Sequence, residues 1–243
     1  MFRTIGRKYF KQIVQEKTGC IVWFGPFKGL KYVDSATGSQ YSPKLIGTYE
    51  RELHPQVEEI IEMKPNLMIN VGAGEGYYAA GLAMRLPELK VIAYEAGEDG
   101  QASMKEIAEL NGVQDHIDIR GLCDPEALQA DIPENGTCVV ICDVEGYEDT
   151  LLNLHAVPAL SRCYILVELH DMFVEDIEKT IAERFAETHE ITTTRQDGRS
   201  SDEYPFHSFL TRLWSDPVVR YALYERRYNL DMAWHWMKPR NKD

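Results

Sequence analysis

A chain of 243 residues, 44% hydrophobic and 27% charged, carries enough apolar material for one large folded domain and does not read as disordered. Its formal net charge of −13 argues against a protein that holds nucleic acid by neutralising phosphates. The acidity is uneven, because residues 1–44 hold eight Lys/Arg against two Asp/Glu, a basic end that suits an anionic partner or a solvated face.

The N-terminus has basic residues but no continuous apolar run of the signal-peptide kind, and no stretch is long enough to span a bilayer. The five cysteines, Cys20, Cys123, Cys138, Cys142 and Cys163, are an odd number without paired metal-ligand spacing. They are expected to be reduced, and the compartment cytoplasmic.

In chain order, Phe2, Ile5, Tyr9 and Ile13 recur at helical spacing, and Gly19 can end that helix. Arg3, Arg7, Lys8 and Lys11 lie on its other face, so core docking or a subunit contact is expected of it, and a homo-oligomer is allowed. Apolar runs broken by Gly25-Pro26 and Lys28-Gly29 predict a short hairpin over 20–33, and 34–44 reads as a polar loop. Residues 1–46 thus form an extension to a main domain over 47–243. Pro55 suits the first turn of a helix over 55–63. Just upstream, Glu50, Glu52 and His54 either face a ligand or serve as surface charge and caps.

Residues 67–71 read as a buried strand, followed by the turn Gly72-Ala73-Gly74-Glu75-Gly76 and a helix over 77–85. Glycines let backbone approach a ligand closely, and the unpaired N–H groups of the next helix welcome a carboxylate or phosphate. A second strand ends at Glu95, whose carboxylate can accept from both hydroxyls of a ribose. This is a nucleoside-binding half-fold. A dinucleotide fingerprint needs a small residue where Tyr77 stands, whereas G-x-G-x-G is the pattern of S-adenosylmethionine (SAM) enzymes.

Beyond Glu95 the elements alternate: helix 101–110, strand 116–120, helix 125–130, strand 137–142, helix 147–154, strand 163–168, helix 173–185 and strand 190–194. The apolar strands show no alternation, which predicts a parallel sheet covered on both faces. A polar loop at 195–205 is the expected mobile lid. Helical pieces near 206–213 and 217–227 and a seventh strand at 232–237 complete the chain.

Ligands of open parallel sheets sit beyond the carboxyl ends of the strands. There stand Glu95, Asp143-Val144-Glu145-Gly146-Tyr147-Glu148, and Glu168-Leu169-His170-Asp171. Buried acids need a partner or a ligand, although Asp143 or Asp171 could simply cap the next helix.

These residues, with Gly47-Thr-Tyr-Glu-Arg-Glu-Leu53, Asn70-Val-Gly-Ala-Gly-Glu-Gly-Tyr-Tyr78, Asn111-Gly-Val113 and Leu166-Val-Glu-Leu-His170, resemble the FkbM-type methyltransferases over about residues 45–172. A looser match runs from Glu225-Arg226 to Trp234, and Gly25-Pro-Phe27 lies upstream. The resemblance implies a class I SAM-dependent fold: a Rossmann-like seven-stranded α/β sheet, mostly parallel. Around it stand an N-terminal helix and hairpin extension and a helical insertion before the last strand. It implies O-methylation of a small-molecule or glycan hydroxyl.

It further implies that Asn70, Gly72, Ala73, Gly74 and Tyr77 hold the methionine part of SAM. Glu95 and Ala96 would sit at the ribose, Leu122 and Cys123 near the adenine, and Asp143 beside the methyl group. Asn70 departs from the acid usual at the head of the glycine motif and accepts from the SAM ammonium without charge attraction. Glu50, Glu145 and His170 are the candidates for acceptor binding. Asp143, Glu168 and His170 are the catalytic candidates, with His170 the natural base and Asp143 the second. The same three side chains are the alternative ligand set for a divalent metal of the Mg²⁺ type, less favoured because histidine seldom binds magnesium. An NAD-dependent dehydrogenase and a non-catalytic SAM-fold scaffold stand as alternatives. The first leaves Asp143-Val144-Glu145 without a part, and the sign of the second would be Asp143 and His170 buried in structural hydrogen bonds with no open cleft beside the cofactor.

Overall fold

The strand β1 (Leu67–Val71) lies at the middle of the sheet that orders this chain in a computed structural model. The structure describes all residues except 1, 35, 37–38, 210, 212–213, 215–218, 221, 225–231 and 241–243, and for 2–5 and 7 the backbone only. The other strands are β2 (Lys90–Tyr94), β3 (Ile117–Arg120), β4 (Cys138–Cys142), β5 (Tyr164–Leu169), β6 (His189–Arg195) and β7 (Ala233–Pro239). Their order is β3-β2-β1-β4-β5-β7-β6. The first five pair in parallel, and β7 runs antiparallel between β5 and β6. The expected seven-stranded, mostly parallel sheet is therefore present.

Helices α1 (Phe2–Thr18), α2 (Tyr41–Ile46), α3 (His54–Met63), α4 (Tyr77–Arg85) and α5 (Glu98–Asn111) precede β3 in the chain. The later ones are α6 (Pro125–Asp131), α7 (Glu148–Leu151) and α8 (Ile177–Phe185). Alternate strand residues enter two separate cores. Met68, Val139, Ile141 and Leu166 pack with Phe10, Ile60, Leu82 and Met104. Ile69, Val140, Cys142 and Val167 pack with Leu128, Leu151, Ile181 and Phe185. Both faces of the sheet are thus apolar, which is why its strands show continuous hydrophobic runs.

The N-terminal segment belongs to the first of these cores. α1 ends at Gly19, at φ +61, and the hairpin is held by an antiparallel bridge between Ile21 and Lys31. Phe27 packs flat against the bare backbone of α4, where a Cβ on Gly81 would fall 2.5 Å from the phenyl ring. The loop expected over 34–44 instead contains α2. Leu45 and Ile46 are buried, Pro43 fits the helix start, and Gly47 closes it at φ +87.

Three helices differ from the sequence reading at their ends. α5 begins at Glu98, whose charge with that of Asp99 favours a helix N-terminus. α7 stops at Leu151 because Asn153 Oδ1 accepts from the N–H groups of His155 and Ala156 and starts a turn. α8 begins only at Ile177, after Asp176 at φ +57 breaks the chain direction. The loop at 195–205, expected to be a mobile lid, is tied down. Arg199 pairs with Glu52 at 2.7 Å, Arg51 with Asp197 at 3.0 Å, and Ser200 and Glu203 form a capping box. Of the helices expected near 206–213 and 217–227, residues 210, 212–213, 217–218, 221 and 225–227 lie outside the described residues, and 206–209 form turn and loop instead of helix.

Two buried histidines brace the antiparallel corner. His189 Nε2 lies 2.8 Å from the Cys163 carbonyl and its Nδ1 2.9 Å from Thr188 Oγ1. Burial lowers its pKa and Arg240 lowers it further, against the Cys163 carbonyl. Burial likewise lowers His235. A histidine with a depressed folded pKa adds stability that is full above its unfolded value, about 6.5, and is lost as pH falls below it. The melting temperature is therefore expected to drop between about pH 6.5 and 5. The drop should be smaller in His189→Gln, as followed by thermal melts at both pH values. An equal drop in both proteins would remove His189 from the acid response.

Candidate active site

The parallel register carries the ends of β1, β2 and β4 to one edge. Val71 stands between Tyr94 and Cys142, so Gly72, Glu95 and Asp143 follow side by side. The Asp143 N–H donates to the Val71 carbonyl at 3.0 Å. A Cβ on Gly72, at φ +74, would fall 1.6 Å from the Asp143 carbonyl oxygen, so only glycine fits. Gly76 makes room in the same way for Met104 of α5, 2.4 Å from where its Cβ would be.

Glu95 fastens this turn. Its Oε2 accepts from the Gly74 N–H and its Oε1 from the Gly97 N–H, both at 2.7 Å. Gly100 leaves space for it, since a Cβ there would stand 2.8 Å from Glu95 Cγ. The carboxylate keeps lone pairs toward the cleft it lines.

A cleft of about 390 Å³ opens along this edge. Its walls include Asn70, Gly72, Ala73, Gly74, Tyr77, Glu95, Ala96, Leu122, Cys123 and Asp143, every residue the sequence assigns to a cofactor. Glu50, Glu145 and Glu168 line it as well. Asn70 is buried, and while its Nδ2 donates to the Ile141 carbonyl at 3.4 Å, its Oδ1 has no hydrogen-bond partner. Leu122 is 76% exposed at the mouth, with Cys123 buried behind it.

Of Glu50, Glu52 and His54, Glu50 alone lines the cleft; it is buried and accepts from the Tyr78 hydroxyl. Glu52 pairs instead with Arg199, and His54 packs beside Gly25. Asp143 makes no cap to α7. Asp171 does the bland work of its kind, with Oδ1 3.4 Å from the Glu178 N–H at the start of α8.

The acidic cluster lies at the inner end of the cleft. Glu168 is the penultimate residue of β5, with its side chain on the face opposite Leu169, which packs in the second core. His170 follows, fully buried behind the cleft wall rather than on it. Its Nδ1 meets Glu148 Oε1, its Nε2 lies 3.3 Å from Glu168 Oε1 and 3.5 Å from Asp143 Oδ1, and its ring stacks on Phe173. Burial pulls the His170 pKa down, but the Glu148 and Glu168 contacts and the Asp143 charge outweigh it and raise the pKa to about 10. His170, expected as the base and as an acceptor contact, is thus brought to the carboxylates behind the cleft and not to its lining. The carboxylate nearest the imidazole is Glu148, which the sequence does not single out.

Several cleft residues have no counterpart in the sequence reading. Lys44 comes from α2, is buried, and donates to Glu75 Oε1 at 2.5 Å, where Tyr32 also donates at 2.6 Å. Burial alone would raise the Glu75 pKa, yet Lys44 and Tyr32 together hold it below the usual carboxylate value. Tyr49, Leu53, Tyr78 and Trp234 also line the wall. Tyr77 packs edge-on against Phe27, Tyr49 and Tyr78, which gives its bulk a place that a dinucleotide turn lacks.

No protein-family model matches the sequence, and no curated protein matches it. Solved structures do resemble it. The methyltransferase domain of METTL16 superposes with a TM-score of 0.54 at 13% identity, over 96% of this chain and 79% of that one. The precorrin-6y C5,15-methyltransferase of Geobacter metallireducens gives 0.50 at 9% identity, over 78% of this chain and 89% of that one. The O-methyltransferase TomG of Streptomyces achromogenes, solved with SAM, gives 0.49 at 13% identity, over 76% and 80%. At these identities the likeness concerns architecture, and this chain has the Rossmann-like fold of the class I methyltransferases.

Proposed function

We propose that this protein is a SAM-dependent methyltransferase, of FkbM type by its motifs, which methylates a hydroxyl of a small molecule or glycan. The observation that carries the reading is one continuous cleft running from the glycine turn to an acidic pair, Asp143 and Glu168, with Asp143 belonging to both ends. The residues present suit SAM. Asn70 Oδ1 is a buried acceptor without a partner, matched to an ammonium. The turn at Gly72 and Gly74 has backbone but no side chains to meet the methionine part, Glu95 can accept from ribose hydroxyls, and Leu122 and Cys123 offer apolar contact for a base.

Bound SAM supplies an electrophilic methyl group on a sulfonium and leaves as S-adenosylhomocysteine. The chain's own part is to align an acceptor oxygen and take away its proton, since positioning contributes much of the rate in such displacements. Asp143 is the group in the right place, half-exposed on the cleft wall next to the turn. His170 and Glu148, packed behind it, hold the carboxylates in position. An open cleft of this kind is what a scaffold without turnover would lack.

Two measurements test the reading. S-adenosylhomocysteine is expected to raise the melting temperature, as any ligand of the native state does, and NAD is not. Glu95→Ala should weaken S-adenosylhomocysteine binding by about 1–3 kcal/mol in calorimetry, the range of a hydrogen bond to a charged group. A melt shifted by NAD alone would make the protein a dehydrogenase, and unchanged affinity in the variant would take Glu95 out of the site. With an acceptor in hand, Asp143→Asn should lower kcat by about 10²-fold or more while changing cofactor affinity by less than about tenfold. Equal losses in both would make Asp143 a binding residue only.

A further inference from the structure

Three carboxylates converge on one imidazole at the inner end of the cleft. Glu148 and His170 are fully buried, Glu168 nearly so, and Asp143 opens to the cleft. The two ring nitrogens differ. Nδ1 is taken by Glu148, which also accepts from the Gly146 N–H at 3.2 Å and is thereby fixed. Nε2 faces Glu168 at 3.3 Å and Asp143 at 3.5 Å, yet meets hydrogen-bond geometry with neither. A carboxylate on the outer nitrogen, with the inner nitrogen aimed at further carboxylates, is how proteins orient a metal-binding histidine.

The spacing agrees. One ligand atom from each of Asp143, Glu168 and His170 can be chosen with all three within 4.8 Å of one another. Two ligands each about 2.1 Å from a common ion lie roughly 3.0–3.4 Å apart at octahedral or tetrahedral angles, close to the two contacts of Nε2. Turned to the same point are one nitrogen and two carboxylates. Imidazole suits first-row transition ions, and magnesium and calcium prefer oxygen alone.

We propose that Asp143, Glu168 and His170 bind a divalent first-row transition cation, and that Glu148 fixes the His170 tautomer that allows it. The site's existence is independent of the methyl-transfer reading, while its use rests on it. Asp143 and Glu168 both line the cleft, so an ion between them and His170 is open to an acceptor oxygen on one side. A hydroxyl bound there loses its proton more readily, and the Asp143 oxygen not on the ion receives it.

The test uses Mn²⁺ as probe on the full chain stripped with chelator, followed by the loss of the free-ion electron paramagnetic resonance signal, without SAM. The expected result is one ion per chain. Glu168→Gln and Asp143→Asn should weaken it about tenfold or more, and Glu148→Gln by about 10–100-fold with the stoichiometry kept. Asp143, the most exposed member, gives the variant that folds if the buried ones do not, checked by its melt. No binding by the folded wild type, or undiminished binding by folded Asp143→Asn, overturns the site. Displacement of Mn²⁺ by an equal concentration of Mg²⁺ overturns the transition-ion assignment. S-adenosylhomocysteine melts on the same samples separate the two ideas. A shift without Mn²⁺ binding removes the cation alone, and Mn²⁺ binding without a shift removes the cofactor reading alone.

Discussion

The site depends on the contact between Gly72 and the carbonyl of Asp143. No side chain can stand there, because its Cβ would lie 1.6 Å from that oxygen. The contact joins two stretches seventy-one positions apart in the chain, one a glycine turn that lines the cleft and one that carries an acid. Their strands are paired in register, with Val71 opposite Cys142, so the separation is set by backbone hydrogen bonds rather than by flexible side chains. A site built this way is placed by the sheet itself, and small displacements in the helices leave its central distance alone.

Around that contact the turn is held from both sides. Glu95 takes the N–H groups of Gly74 and Gly97 from the β2 side. From the other side Glu75 is gripped by Lys44 and Tyr32, residues of the N-terminal segment. The extension is therefore no appendage to the sheet. Phe27 on Gly81 and the ring cluster of Phe27, Tyr49, Tyr77 and Tyr78 press it against the same helix that leaves the glycine turn.

Much of the fold was legible because the central strands β1, β4 and β5 are apolar runs, and glycines or prolines mark several helix boundaries. That the residues expected at a cofactor line one cleft was legible too, since they stand at or just beyond the ends of β1, β2, β3 and β4. What the sequence hid is tertiary. Lys44 sits in a stretch that reads as polar loop, and only the fold brings it to Glu75. Glu148 stood in a quoted motif, but nothing local reveals that it reaches back to His170, twenty-two positions on. His170 likewise reads as an imidazole at a strand end, and nothing local in the sequence shows that three carboxylates surround it. The early stop of α7 at Asn153 and the pinned loop after β6 are likewise settled by individual side chains.

The Lys44–Glu75 pair bears on how the N-terminal segment docks. Removing two charges from water costs several kcal/mol each, and their attraction offsets this only when further hydrogen bonds are made. Tyr32 supplies one of these, and the depressed Glu75 pKa says that the local attraction outweighs burial for that carboxylate. Lys44 also lies 4.6 Å from the ring centre of Tyr49 and 5.7 Å from that of Tyr77, which adds cation–π attraction in a desolvated place. Such a pair is asymmetric. Swapping both members for apolar residues can be nearly neutral, whereas removing one leaves a buried charge alone at a cost of about 3–5 kcal/mol. An undocked N-terminal segment would leave Glu75 without its two donors on the very turn that meets the ligand. Docking of the extension and the shape of the glycine turn are thus a single equilibrium, so a ligand that orders the turn also favours the docked segment.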